Sequence, residues 1–351
     1  MSLHESMLGE HPLTISMGDD YDYNVLGDDD DPDDLYNEYL NLLAELDQCL
    51  GTMPLLEASA ADEHRALLFP KLLFGSNFIE KAGGPLDITQ KICRFIYYEN
   101  KLLDTTYEQQ PFYHGLEDYL SAQGRPSDRL SILRSYREIV QHAKALRYLM
   151  AEFDKRPIDE AMILQTHRIL TEGIDTDQGC DWTEYSGVYR KDQVVAGLHA
   201  FPPAAQVPAA MRKMISSLHR DLQTTTKEGK IDPVALAAKY SHLLVNIHPF
   251  LDGNGRMSRI LLNVLLYKLG AGALACFGQN EEEREEYLGI AARASQNMAA
   301  QQDEWDEGDE MAPKYHKELA SYTLKHVVYG LREWKQALEE SKKASIPDYR
   351  A

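Results

Sequence analysis

The twelve residues from His248 to Arg259 combine the side-chain types that handle a nucleotide phosphate. Within them, Gly253-Asn254-Gly255 lets the backbone turn sharply at little steric cost, and the apolar residues 260–266 continue as a helix. A turn that leads into a helix N-terminus presents free N–H groups and the positive end of the helix dipole, which together attract an anion. The spacing therefore predicts a phosphate-binding turn.

Four side chains around this turn fit the chemistry of phosphate transfer. Arg256 and Arg259 are three residues apart, so they share one helix face and can reach the same polyanion. Asp252 is a hard-oxygen ligand of the kind that holds Mg2+ together with substrate phosphates. His248 precedes the turn, where its imidazole could take a proton from an incoming hydroxyl.

The whole run resembles the signature of Fic-domain proteins, HPFx[DE]GNGRxxR, at every fixed position. The resemblance implies transfer of part of a nucleotide, usually AMP from ATP, to a Ser, Thr or Tyr hydroxyl of a target protein. It also implies an all-α, mainly helical Fic fold with a short β-hairpin flap next to the active site. His248 would be the base and Asp252 the Mg2+ ligand, and the nucleotide phosphates would contact Gly253, Asn254, Gly255, Arg256 and Arg259.

Ser76 and Glu80 form a second, distant motif. They are four residues apart and so fall on one face of a helix. The segment resembles the inhibitory helix of many Fic proteins, [ST]xxxE followed by Gly or Asn, although position 81 here is Lys. The resemblance implies that Glu80 pairs with Arg259, which would otherwise hold the γ-phosphate of ATP. We therefore expect an autoinhibited enzyme; the alternative is a solvated glutamate on a surface helix.

Residues 185–203 mix β-forming and turn residues, which predicts a short hairpin. Its position resembles that of the flap of Fic proteins, which clamps an extended target segment as an added strand. The docking edge would then be Gln193, Val194, Val195 and Ala196. Further along, residues 284–287 resemble the family segment whose tyrosine lines the adenosine side of the site. Tyr287 could equally be a tyrosine at the edge of the core.

Composition excludes several classes of function. The formal net charge of −20 argues against nucleic acid as a general partner, because that binding depends on Lys and Arg. The four cysteines are scattered without metal-binding spacing, which indicates reduced thiols. No apolar run is long enough for a membrane span, and the acidic N-terminus lacks a hydrophobic signal core. We therefore expect no membrane partner and a cytoplasmic protein, with the nucleus as an alternative.

The chain divides into four predicted regions. Residues 1–34 contain a run of aspartates and are expected to be a disordered acidic tail. An N-terminal helical region that carries the inhibitory motif 76–80 would cover 35–125, and the catalytic core would cover 126–300. Residues 301–351 would form an acidic loop and a C-terminal helix. Helical periodicity is clearest over 35–50, 126–153, 157–173, 207–222, 233–247 and 281–298.

Several readings of the function stay open on the sequence alone. The same site could remove AMP from a modified target, with the glutamate positioning a water, or it could transfer another nucleotide or group. A non-catalytic nucleotide-binding module is a third class, but it would need neither His248 nor Asp252. A homodimer is compatible with the sequence.

Overall fold

The computed structural model of the protein describes residues 13–26, 30–51, 68–99, 112–196, 199–301 and 314–344. Over these residues the chain forms twelve α-helices and four strands of two residues each, so the predicted mainly helical fold with a short hairpin is confirmed. The strands are β1 Thr14–Ile15, β2 Val195–Ala196, β3 His199–Ala200 and β4 Lys230–Ile231. The helices are α1 Pro32–Gly51, α2 Leu68–Ile79, α3 Leu86–Arg94, α4 Tyr113–Ala122, α5 Arg129–Phe153, α6 Glu160–Thr171, α7 Trp182–Tyr185, α8 Val207–Glu228, α9 Pro233–Ile247, α10 Asn254–Leu269, α11 Glu281–Gln301 and α12 Lys317–Ala344.

Helix α10 lies at the centre of the molecule. Nearly every residue from Asn254 to Leu266 is buried, polar ones included, so the helix is enclosed on all sides. It packs against α9, α5 and α2. Because the predicted phosphate turn leads into this helix, its arginines project from a rigid, enclosed element.

Helix α9 approaches that turn from the other side. It begins at Pro233, where the missing N–H costs no hydrogen bond, and the Asp232 side chain accepts bonds from the N–H groups of Val234 and Ala235. The helix is almost wholly buried and ends at Ile247. The loop between α9 and α10 is therefore anchored at both ends by buried helices.

The two ends of the described chain pack together over this centre. Helix α12 lies along α1 and also contacts α9, and a single hydrophobic core contains side chains from Tyr21 to Leu338. The regions predicted for the N-terminus and the C-terminus therefore share the core of the central region, while the predicted boundaries at 125/126 and 300/301 stay predictions. None of the helices in the described ranges is long and apolar enough to cross a membrane.

The predicted disordered acidic tail, residues 1–34, is wrong for residues 13–26 and 30–34. Strand β1 pairs in parallel with β4, and helix α1 begins at Pro32. Tyr21 is only 3% exposed, and its hydroxyl donates to Asp232. Residues 1–12 and 27–29 of the predicted tail lie outside the described residues.

Acidic residues in this segment are ordered because they find cations in the C-terminal part of the chain. Asp20 forms an ion pair with Lys314 and a hydrogen bond with His316, and Asp30 pairs with Lys325 at 3.0 Å. Burial opposes ionisation of Asp20, but hydrogen bonds from His316 and Lys314 outweigh it and hold its pKa below the usual range. The predicted charge repulsion is therefore offset by pairing with cations that are distant in sequence.

We expect Tyr21→Phe to lower the free energy of unfolding by about 1.5–3 kcal/mol, because the partly buried Asp232 carboxylate loses a donor. Tyr23→Phe is the matched control, since Tyr23 is 53% exposed and bonds the exposed Asp33. Chemical denaturation of the two variants compares them directly. Equal stabilities would contradict the structural role of the N-terminal segment.

Candidate active site

The loop that joins α9 to α10 reverses the chain with two residues in the left-handed region. His248 follows the last turn of α9 with φ 49° and ψ 60°, and its N–H donates to the carbonyl of Leu244. Gly253 has φ 78° and precedes the first residue of α10, Asn254. A left-handed conformation is uncommon for a residue other than glycine, so His248 must be held in place by its surroundings.

Three contacts fix His248. Its Nδ1 lies 3.2 Å from the carbonyl oxygen of Val245, which can only accept, so Nδ1 carries the proton and Nε2 is the nitrogen able to act as a base. The imidazole stacks on Phe201 with ring centroids 3.8 Å apart. The His248 carbonyl accepts a hydrogen bond of 2.7 Å from Nε of Arg190. The predicted base is therefore oriented in one tautomer.

Asn254 closes the loop on itself. Its Oδ1 accepts from the N–H of Phe250 and its Nδ2 donates to the carbonyl of Phe250, both at 2.9 Å. The side chain is 3% exposed. The predicted phosphate contact at this position would therefore come from the backbone N–H at the helix start, while the side-chain amide holds the turn.

Asp252 borders a cavity that His248, Glu80 and the backbone of 253–255 also line. Its Oδ1 accepts from the N–H of Gly253 at 2.6 Å, and its Oδ2 lies 3.5 Å from a guanidinium nitrogen of Arg256. No group of three or more His, Cys, Asp or Glu side chains in the described ranges could hold a metal. A cation beside Asp252 would accordingly need substrate oxygens, which fits the way Mg2+ binds through one or two carboxylates and phosphates.

Arg256 lines the same cavity and has unused hydrogen-bonding capacity. The residue is 4% exposed, and its Nε and Nη1 are buried with no hydrogen-bond partner among the described residues. Buried donors without a partner are unfavourable and are rare in native structures. A guanidinium that borders the cavity supplies positive charge of the kind that binds a phosphate.

Arg259, one helical turn later, is paired with the second motif. Its Nη2 lies 2.7 Å from Oε1 of Glu80, its Nε donates to Oγ of Ser76 at 2.8 Å, and Nη2 also donates to the Ser76 carbonyl at 2.8 Å. Arg259 is 2% exposed. Burial lowers the pKa of this guanidinium, but the Glu80 carboxylate outweighs that effect and holds the pKa above its usual value. The structure thus brings Ser76, Glu80 and Arg259 together as the sequence predicts.

Lys81 departs from the family pattern, and the backbone explains what the pattern requires. Helix α2 ends with the N–H of Ala82 bonded to the carbonyl of Asn77 and the N–H of Lys81 bonded to the carbonyl of Phe78. This is a Schellman cap, in which the residue that follows the C-cap is left-handed. Lys81 occupies that position with φ 53°. Gly and Asn adopt this conformation most easily, which accounts for their place in the pattern.

Tyr287 packs against the buried side of Arg259. It is 5% exposed, stacks on Phe277 with centroids 5.3 Å apart, and lies 5.3 Å from the Arg259 guanidinium. Tyr287 therefore lies at the edge of the core, which is one of the two positions expected for it, the other being the adenosine side of the site. Its role on the adenosine side stays a prediction.

The hairpin forms where the sequence predicts it. Strand β2 pairs antiparallel with β3, with Val195 opposite Ala200 and Ala196 opposite His199. Gln193 precedes the strand, and its side chain donates to the carbonyl of Phe201 at 2.7 Å. The use of Gln193, Val194, Val195 and Ala196 as a docking edge stays a prediction, and residues 197 and 198 lie outside the described residues.

His167 and Arg190 support the site, although they were not predicted to belong to it. His167 accepts from the N–H of Gly187 at Nδ1 and donates from Nε2 to the carbonyl of Asp252, both at 2.9 Å. Its ring stacks on Phe250 at 3.7 Å, and burial lowers the pKa of His167 to about 4, so it is neutral at physiological pH. No spacing in the sequence distinguishes it from an ordinary core histidine.

Arg190 connects the hairpin to the loop between α9 and α10. It is 5% exposed and, besides the His248 carbonyl, its guanidinium donates to the carbonyls of Asp192 and Pro202. Its N–H also donates to the carbonyl of Pro249 at 2.9 Å. The one sequence signal for the role of Arg190 is the presence of an arginine within a run of turn residues.

Residues 157–266, from just before α6 to near the end of α10, match the Fic/DOC family. This segment is similar to Fic domains. The protein adenylyltransferase Fic of Drosophila willistoni is 29% identical over 177 residues, which are 50% of this chain and 32% of that protein. The Drosophila grimshawi protein of the same name is 27% identical over 233 residues, 66% of this chain and 44% of that protein.

Solved structures agree on the fold. Residues 134–508 of Fic-1 from C. elegans superpose with a TM-score of 0.59 at 18% identity, covering 88% of this chain and 73% of that one. A Fic-domain-containing signaling protein from Bacteroides thetaiotaomicron gives a TM-score of 0.54 at 19% identity, covering 89% and 97%. The predicted Fic fold is therefore confirmed, although the chain spans less than half the length of the curated relatives named above.

We expect Lys81→Gly to raise the free energy of unfolding by about 1 kcal/mol, because glycine removes the left-handed cost at the Schellman position. Lys81→Ala removes the same charge but keeps a Cβ, so it should leave stability nearly unchanged. Denaturant titration of both variants separates backbone strain from charge. Similar stabilities of the Gly and Ala variants would mean that Lys81 is not strained.

Proposed function

We propose that this protein is an adenylyltransferase that moves AMP from Mg2+-ATP to a Ser, Thr or Tyr hydroxyl of a target protein. The observation that carries the proposal is the cavity itself, which an oriented base, His248, and a buried guanidinium, Arg256, both line beside the N-terminus of α10. The names of the Drosophila relatives support it.

The residues would divide the reaction as follows. Nε2 of His248 takes the proton of the target hydroxyl as that oxygen attacks the α-phosphorus. The new bond joins the target oxygen to the α-phosphorus, the bond from the α-phosphorus to the bridging oxygen breaks, and pyrophosphate leaves. Arg256 and the N–H groups at the start of α10 stabilise the negative charge on the phosphates. Mg2+, held by Asp252 and phosphate oxygens, would neutralise further charge.

The hairpin would position the target. Residues 193–196 would pair with an extended target segment, so that the hydroxyl reaches His248. Arg190 supports this role because it binds carbonyls of the hairpin segment and of His248 at once. The hairpin and the base would therefore keep a fixed distance during target binding.

We further propose that Glu80 keeps the enzyme off. Its carboxylate lies 2.7 Å from Arg259, the guanidinium that the family resemblance assigns to the γ-phosphate. A phosphate arriving there would meet a like charge and would first have to break a pair that is buried on the arginine side. ATP would then bind in a pose that does not favour transfer.

We expect Glu80→Gly to raise transfer of label from α-labelled ATP, to the protein itself or to added proteins, by tenfold or more, because Arg259 becomes available to the nucleotide. Glu80→Gln is the matched control: it keeps the size of the side chain, removes its charge, and should activate less than glycine. The double variant Glu80→Gly, His248→Ala should show no transfer. Equal labelling of the wild type and Glu80→Gly would disprove the inhibition.

Removal of AMP from a modified target is the second candidate, and one feature favours it. The Glu80 side chain is 37% exposed and lines the cavity with His248, so it could orient a water for attack on a bound phosphodiester. The two directions separate when an AMP-modified target is incubated with each protein. Release of AMP by the wild type that is lost in Glu80→Gly would favour hydrolysis over transfer.

A further inference from the structure

A second cavity lies on a different side of the turn that carries Glu80. It has a volume of about 190 Å³ and is formed where α2 ends, α4 ends and α11 begins. It shares no lining residue with the cavity that contains His248. The lining includes three cations and one carboxylate, with two aromatic rings in the wall: Lys81, Arg125, Arg284, Glu281, Phe78 and Tyr119.

The charge of this cavity is opposite to that of the chain. The whole sequence has 36 basic and 56 acidic residues, whereas the basic side chains outnumber the single acidic one here. The three cations come from three separate parts of the fold. Glu281 pairs with Arg284 at 2.7 Å and offsets one of these charges, so Lys81 and Arg125 give the lining a net positive charge, which favours an anion.

Two of these cations hold the backbone on either side of Glu80. Nε of Arg284 donates to the carbonyl of Ile79 at 3.0 Å, and Nη1 of Arg125 is 3.5 Å from the carbonyl of Gly83. The Arg284 side chain is only 15% exposed, so little water competes for it. The same guanidiniums therefore face the cavity and stabilise the inhibitory turn.

We propose that this cavity binds a phosphate-bearing small molecule and that binding loosens Glu80 from Arg259. Guanidinium groups bind phosphate through paired, charge-assisted hydrogen bonds that are stronger than a bond to a neutral carbonyl. A bound phosphate would draw Arg284 and Arg125 away from Ile79 and Gly83, and the turn would lose donors on both sides of Glu80. The ligand then favours the released state because that state leaves both guanidiniums free to bind it. The regulatory half rests on the proposed function; the binding half does not.

Calorimetry on the full chain tests the binding half, with inorganic phosphate, pyrophosphate and AMP titrated separately. We expect saturable binding of at least one of them to the wild type and to Arg256→Gln, which removes the phosphate contact in the catalytic cavity. Arg284→Gln and Arg125→Gln should each weaken it at least tenfold. Arg293→Gln is the matched control, because this exposed arginine also lies on α11 but pairs with Glu318 away from the cavity.

The outcomes of this titration are distinct. Binding that survives in both Arg284→Gln and Arg125→Gln, or that disappears in Arg256→Gln, would place the anion elsewhere and overturn the proposal. Absence of binding by all three probes would overturn it as well. Preference for inorganic phosphate over AMP would identify a free anion as the ligand, and the reverse preference would identify a nucleotide; either result supports the site.

Labelling from ATP tests the regulatory half. The bound probe should raise transfer by the wild type at least threefold and leave Glu80→Gly unchanged, because that variant is already released. Binding without this rise would overturn the regulation. Absence of transfer in every variant, Glu80→Gly included, would instead contradict the proposed function, and the calorimetric result would still stand.

Discussion

The pair of Arg259 with Glu80 and Ser76 is the interaction on which the arrangement of the site depends. Arg259 projects from the central helix α10 and is 2% exposed, so it needs a partner for its charge and its N–H groups. The partners come from the end of α2 and the residue that follows it, more than 170 residues earlier in the chain. Docking of α2 therefore completes the core and at the same time pairs with an arginine beside the predicted phosphate turn.

Arg256 and Arg259 differ in this respect, although they lie one helical turn apart. Arg259 bonds to Ser76 and Glu80, whereas Nε and Nη1 of Arg256 are buried with no partner among the described residues. Unmatched buried donors are rare and unfavourable. The two similar side chains therefore differ in how far the protein itself satisfies them, and Arg256 is the less satisfied of the two.

Local signals made most of the fold and the centre of the site predictable from the sequence. The helices follow from apolar periodicity, and the catalytic loop follows from fixed residue types in one short run that the chain places together by adjacency. Ser76 and Glu80 were predictable only because a family pattern links them to Arg259. The ordered segment around Tyr21 was not predictable, because its aspartates indicate mutual repulsion and the lysines that pair with them, Lys314 and Lys325, lie far away in the sequence. His167 and Arg190 were missed for the same reason, since their partners are backbone atoms distant in sequence.

Gly255 shows how tightly the two halves of the site are fitted. A Cβ at this position would lie 2.1 Å from Oε1 of Glu80 and 3.2 Å from Nη1 of Arg259, so any side chain here would displace the carboxylate. Glycine at a helix start would also allow close approach of a phosphate. Under the proposed function, the space that Gly255 leaves open next to the first turn of α10 would hold either the carboxylate of Glu80 or the phosphate of a nucleotide. Competition at Arg259 would then be steric as well as electrostatic, and a shift of the turn at residues 79–83 would act on both components together.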